Sequence, residues 1–177
     1  FDQMKTIPLA PEATQLLESL RSIGYSAEAA IADLIDNSIT AGAHAIDIRF
    51  PAGVANHLAI IDDGSGMTEE ELVAAMRHGS RNPGDRRSPS DLGRFGLGMK
   101  TASLSQCRCL TVVSRKDGGL AAARWDLDFV RKHNQWLLIQ LEEPEIERLP
   151  LVDELRRARS GTMVLWTELD RLAAGYQ

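Results

Sequence analysis

The sequence predicts an α+β domain, a two-layer sandwich with helices on one face of a mixed, largely antiparallel sheet. Two observations predict it. Helical periodicity and short apolar strands follow one another as helix, helix, strand, strand, helix, long loop, helix, then a run of strands around turns. At 177 residues, 44% of them hydrophobic, the chain can bury a sizeable core as one domain. Residues 1–177 show no internal repeat and no domain boundary.

The elements follow in order. Residues 8–22 form an amphipathic helix ahead of a second one, AIADLIDNSITAGA at 30–43. Ser26 is a suitable N-cap for the second, with Glu28 and Ala29 in its first turn. Steps of 100° place Ile31, Leu34, Ile35 and Ile39 on the core arc and Asp33, Asp36, Asn37 and Thr40 opposite. Asp33 and Asn37 are four apart and lie one above the other. That pair is either an ordinary solvated face or a site in which Asp33 holds a water and Asn37 a metal ion. A neutral amide oxygen can ligate Mg²⁺ without adding charge beside phosphates.

Residues 58–61 are a short apolar strand ending at Asp62, and Asp63-Gly64-Ser65-Gly66 turns the chain. A carboxylate there can accept from an exocyclic amine, which adenine has and guanine lacks at that edge. Gly64 and Gly66 would let the backbone approach a flat ring. Thr68 and Glu71 form a capping box for the next helix. Residues 78–92, with HGSRNPGDRRSPSD at their start, carry Pro, Gly, Ser and charge and read as a long functional loop.

The third motif is GRFGLGMKTAS at 93–103. It is not a P-loop, because Met99 separates the last glycine from Lys100, and its G-x-x-G-x-G spacing is not the dinucleotide fingerprint. It shares the physics of both: glycines expose N–H groups to an anion and a helix over 97–104 presents its positive end. Beyond it, residues 110–114 and 120–125 are strands around a Lys116-Asp117-Gly118-Gly119 turn. Residues 136–141 and 162–167 are further strands, and 149–159 a short surface helix or a loop.

These three motifs in this order resemble the ATP-binding domain of the GHKL superfamily: gyrase B, the large ATP-driven heat-shock chaperones, histidine kinases and MutL. The helix motif is especially similar to the MutL and MORC branches. The resemblance implies the Bergerat ATP-binding fold, ATP and Mg²⁺ as cofactors, and a lid at 78–92. It makes Asn37 the Mg²⁺ ligand, Asp62 the adenine reader, and Gly64, Gly66 and Met67 the lining of the base pocket. Gly93, Gly96, Gly98, Met99 and Lys100 would surround the phosphates, with Arg94, Phe95 and Leu97 in the same ATP-binding loop. Ser80 and Arg81 would reach ribose or phosphate from the lid. Thr162, in GTMVLW, would hold a water between Asp62 and the ring. The family's base is Glu where this chain has Asp33, one methylene shorter, so Asp33 is the expected catalytic carboxylate of a slow ATPase.

In the MutL and MORC branches ATP orders the lid and drives dimerisation, so a nucleotide-dependent homodimer is expected, as is a downstream domain in a longer protein of which this chain is a fragment. Phosphoryl transfer of the histidine-kinase type is an alternative. A nucleotide-gated binding module with little turnover is another. The net charge of −5 excludes a basic nucleic-acid grip and does not indicate DNA or a protein client as partner. The only cysteines, Cys107 and Cys109, are too few for a disulfide framework or a zinc site. Reduced thiols, no membrane-length apolar run and no signal peptide lead to the expectation of a cytoplasmic protein without a membrane partner.

Overall fold

A helix that turns small residues inward can lie close on a sheet, and this chain uses that device in its second helix. The computed structural model describes residues 12–22, 25–50, 56–77 and 98–170. Helix α1 (Ala13–Arg21) buries Ala13 and Leu17, one turn apart. Arg21 donates to the Leu104 carbonyl at 2.9 Å and pairs with Asp170 at 2.5 Å, tying α1 to a residue far along the chain.

Helix α2 (Ala27–Thr40) begins where expected, with the Ser26 hydroxyl accepting from the Ala29 N–H. Its buried stripe is Ala30, Leu34 and Ser38. The expected core arc was rotated toward the isoleucines: Ile31 and Ile35 are half-buried and Ile39 is 51% exposed. Weighting by hydrophobicity pulls the arc toward bulk, whereas the sheet and its neighbour helix receive the two small residues.

Strand β1 (Ile46–Arg49), β2 (His57–Asp62), β3 (Cys109–Lys116), β4 (Gly119–Asp126), β5 (Ile139–Leu141) and β6 (Gly161–Thr167) form one sheet ordered β1-β2-β6-β3-β4-β5. Every described pairing is antiparallel. The last strand therefore inserts between β2 and β3. The β3–β4 hairpin closes through Asp117 (φ 51°) and Gly118 (φ 80°), the left-handed pair that matches strand twist.

Helices α1 and α2, with α3 (Glu69–Met76), α4 (Gly98–Gln106) and α5 (Leu127–His133), cover one face. Alternation along β3 sends Val112 into that layer and Val113 to the reverse face, into a smaller cluster beneath α6 (Glu143–Ile146) and α7 (Val152–Arg157). The α+β two-layer sandwich is thus present, with a small cover on the second face.

Helix α3 carries the expected capping box, with both Thr68–Glu71 bonds formed. Helix α5 was not foreseen, although Asp126 caps it through the N–H groups of Asp128 and Phe129, and Asn134 in the left-handed region ends it. The strand expected over 136–141 shortens to Ile139–Leu141, because Trp136 instead packs edge-on against Trp125 at 6.0 Å. Cys107 and Cys109 are free and buried. Among the described residues no helix is long and apolar enough to cross a membrane.

Candidate functional site

Antiparallel register builds the site. Asp62 on β2 faces Thr162 on β6, and Thr162 faces Ser114 on β3. Directly opposed residues share a face. Their neighbours two along, Ile60, Val164 and Val112, all belong to the core under the helical layer. Asp62, Thr162 and Ser114 are therefore a row of oxygen-bearing side chains on the helix-covered face.

Asp62 is buried at the end of β2. Its Oδ1 accepts from the Gly64 N–H at 2.9 Å and its Oδ2 from the Ser38 hydroxyl at 2.8 Å. Burial pushes its pKa up, against the opposing pull of the Ser38 hydroxyl and the Gly64 and Thr162 backbone. Each carboxylate oxygen can accept twice, so this oriented anion retains acceptor capacity for an amine. Asp63 has a different task. Its Oδ1 accepts from the N–H groups of His44 and Ala45 at 2.7 and 2.8 Å and pins the α2–β1 connection. Those bonds, from Ala45 and then His44, hold its carboxyl below the usual range.

The turn after Asp62 packs tightly on the sheet. Gly66 has φ +66°, and a Cβ there would lie 1.9 Å from the Arg115 carbonyl oxygen. Gly161 answers from β6, where a Cβ would sit 2.1 Å from the Asp62 carbonyl oxygen. The close approach at both glycines is thus to neighbouring backbone. Met67, half-buried against the core, donates its N–H to Ser114 Oγ at 2.8 Å.

On α2, Asp33 and Asn37 lie one turn apart on the flank beside the buried stripe, Asp33 half-buried and Asn37 exposed. Tyr25 donates its hydroxyl to Asp33 Oδ2 at 3.1 Å. Burial and then that bond raise the Tyr25 pKa. Among the described residues no group of three or more His, Cys, Asp or Glu could hold a metal.

Gly98 opens α4 and Met99 packs on the core. Lys100 differs from the expected phosphate partner: it is 1% exposed, and its ammonium donates to the carbonyls of Ala75 and Arg77 at 2.8 and 2.6 Å. It closes the C-terminal end of α3, whose last carbonyls have no helical partner. Ser80, Arg81, Gly93, Arg94, Phe95, Gly96, Leu97 and the whole segment 78–92 lie outside the described residues. Ser38, Ser114 and Tyr25 are site residues that sequence reasoning missed. For Ser38 a signal existed, a hydroxyl 40° from Leu34 on a helix. For Ser114 none did, because strand register is not local information.

Burial lowers the Lys100 pKa from 10.5 to about 8. The folded chain then gives up this proton before the unfolded chain does, so Lys100 favours the fold increasingly as pH rises from about 8 toward 10.5. A neutral amine still has two N–H donors for its two carbonyls. In urea melts, the stability of the parent relative to Lys100→Met is expected to climb across that window. A flat difference would contradict a desolvated ammonium.

Residues 25–162 match the family described as histidine kinase-, DNA gyrase B- and HSP90-like ATPase. The DNA mismatch repair protein MutL of Halobacterium salinarum is 32% identical over 101 residues, 55% of this chain and 15% of that protein. The ATPase morc-1 of Caenorhabditis elegans is 30% identical over 122 residues, 68% of this chain and 14% of that protein. MutL of Ralstonia nicotianae is 29% identical over 112 residues, 61% of this chain and 18% of that protein. The chain spans less than a fifth of each of these relatives. Both of the buried row's outer strands, the Asp62 turn and the α2 pair fall within the matched residues, and the chain belongs to the histidine kinase-, DNA gyrase B- and HSP90-like ATPase family, as an ATP-binding domain of GHKL type.

Proposed function

We propose that the Asp62 end of the sheet is the adenine end of an Mg²⁺-dependent ATP site. The observation that carries this is the buried carboxylate of Asp62, fixed by Ser38 and Gly64 and opposite Thr162 on the helix-covered face. A desolvated, oriented acceptor binds an amine and repels a carbonyl, the difference between adenine and guanine. Gly64, Gly66 and Met67 border the base, and Asn37 is the Mg²⁺ ligand. The glycine box from Gly93 to Gly98, with Met99, would bind the phosphates. Segment 78–92, with Ser80 and Arg81, is the lid. Its closure on nucleotide drives homodimer formation, with a downstream domain completing the site, as the likeness to MutL and morc-1 suggests. Bound Mg²⁺ would supply charge neutralisation to the phosphates.

Asp33 is the proposed general base. It projects from the flank that carries Asn37, and a base must reach its proton directly or through one water. We expect Asp33→Asn to keep ATP affinity by calorimetry while phosphate release falls to background. Equal phosphate release by Asp33→Asn and the parent would move the base elsewhere, Asp36 being nearest. The Tyr25–Asp33 bond favours a second reading, a nucleotide-gated module with little turnover, since Tyr25 occupies a lone pair of the carboxylate that would otherwise hold the attacking water. Tyr25→Phe should then raise phosphate release.

A further inference from the structure

Ser114 is fully buried on β3, opposite Thr162, in a strand that carries none of the family's nucleotide motifs. Three partners surround its hydroxyl. The Met67 N–H donates to Oγ at 2.8 Å, the Gly161 carbonyl oxygen lies 3.1 Å away, and Thr162 Oγ1 lies 2.9 Å away. A serine hydroxyl has one proton and two lone pairs. A carbonyl has no proton to give, so the Ser114 proton goes to Gly161. Met67 occupies one lone pair. The contact with Thr162 is then satisfied only if Thr162 donates. All three bonds coexist in this one arrangement, and in it Thr162 has no proton left for a ligand.

We infer that Ser114 is a specificity-positioning residue: by accepting the Thr162 proton it turns Thr162 into an acceptor, so that Asp62 and Thr162 together select a 6-amino purine over a 6-oxo purine. This rests on the adenine reading of the Asp62 site and adds a residue to it. Without Ser114 the Thr162 hydroxyl rotates and can donate as well as accept, which suits a carbonyl at the ligand's C6. Asp62 alone would then discriminate. Ser114 also seats Met67 through its N–H, so one buried hydroxyl couples the turn after Asp62 to the orientation of Thr162. Nothing in this role requires Ser114 to touch the ligand.

ATP and ITP make the test, because they differ only around C6 and N1 of the base. Calorimetric affinities for both are measured on the parent, Ser114→Thr and Ser114→Val, each first shown to be folded by its melting transition. The two variants are isosteric, so packing damage is common to both and the hydroxyl is the only difference. The ATP-over-ITP ratio is expected to stay near the parent's in Ser114→Thr and to narrow about fivefold in Ser114→Val, the worth of one hydrogen bond. Equal ratios in the pair would overturn the role of Ser114 and leave the base site standing. A parent that binds ATP no better than ITP would overturn the base-site reading and this inference with it. If neither substitution folds, Thr162→Val decides instead. There the half-buried acceptor is removed with Ser114 intact, and the ratio must narrow similarly; an unchanged ratio would overturn the inference.

Discussion

Asp62→Asn is expected to fold normally and to bind ATP about 10- to 100-fold more weakly, the range set by one hydrogen bond to a charged acceptor. The fold survives because the asparagine oxygen can keep the Gly64 N–H, while its amide nitrogen turns toward Ser38. That hydroxyl has the Leu34 carbonyl at 3.3 Å as a second acceptor and can rotate to receive the amide. Toward a ligand the exchange is costly, since an N–H then confronts the amine that the carboxylate would accept. Calorimetry with ATP reads the loss and a melting curve confirms the fold; unchanged affinity would remove Asp62 from the base site. The pH dependence has a definite sign. Burial raises the Asp62 pKa above its ordinary 3.8, so the folded chain takes up this proton before the unfolded chain does as pH falls. The parent should therefore gain stability relative to Asp62→Asn on acidification toward that ordinary value. ATP affinity should weaken over the same interval as the carboxylate is neutralised.

Gly66→Ala is expected to be strongly destabilising. Its backbone lies at φ +66°, and the added carbon would meet the Arg115 carbonyl oxygen at 1.9 Å and the Gly161 nitrogen at 3.3 Å. Both neighbours are backbone held in the β3–β6 ladder, so neither can swing aside. Left-handed strain alone costs about 1–2 kcal/mol, and displacing a ladder strand brings the total to at least ~3 kcal/mol. At ~2–4 °C per kcal/mol for a domain of this size, Tm should fall by about 6–12 °C. Gly118→Ala is the control. Its φ is +80° but nothing lies within 4 Å, so it should show the left-handed strain alone. Equal losses for the two would contradict the close approach of the Asp62 turn to β3.

Local chemistry was legible in the sequence wherever a bond joins near neighbours. Ser26 caps α2, Thr68 and Glu71 close their box, and the Asp117-Gly118 turn makes its hairpin. Each depends on residues within four positions of one another. The placement of Asp62 at a strand end was legible for the same reason. What escaped depends on partners far along the chain. Lys100 looks like a phosphate ligand in a glycine-rich motif, yet it lies under α3, where two carbonyls meet it. Ser114 gains its role only when β6 arrives between β2 and β3. The rotated face of α2 is a third case. Its isoleucines dominate any hydrophobic arc, but Ala30 and Ser38 let the helix sit close enough for a hydroxyl to reach Asp62.

The central claim is that the buried carboxylate of Asp62 reads the amine of ATP. A crystal structure of the domain with a non-hydrolysable ATP analogue and Mg²⁺ tests it most directly. The account predicts the adenine amine within hydrogen-bonding distance of Asp62, Thr162 beside it as an acceptor, and Asn37 on the metal. A base seated away from the β2 end of the sheet, with Asp62 bonded only to Ser38 and Gly64, would contradict it.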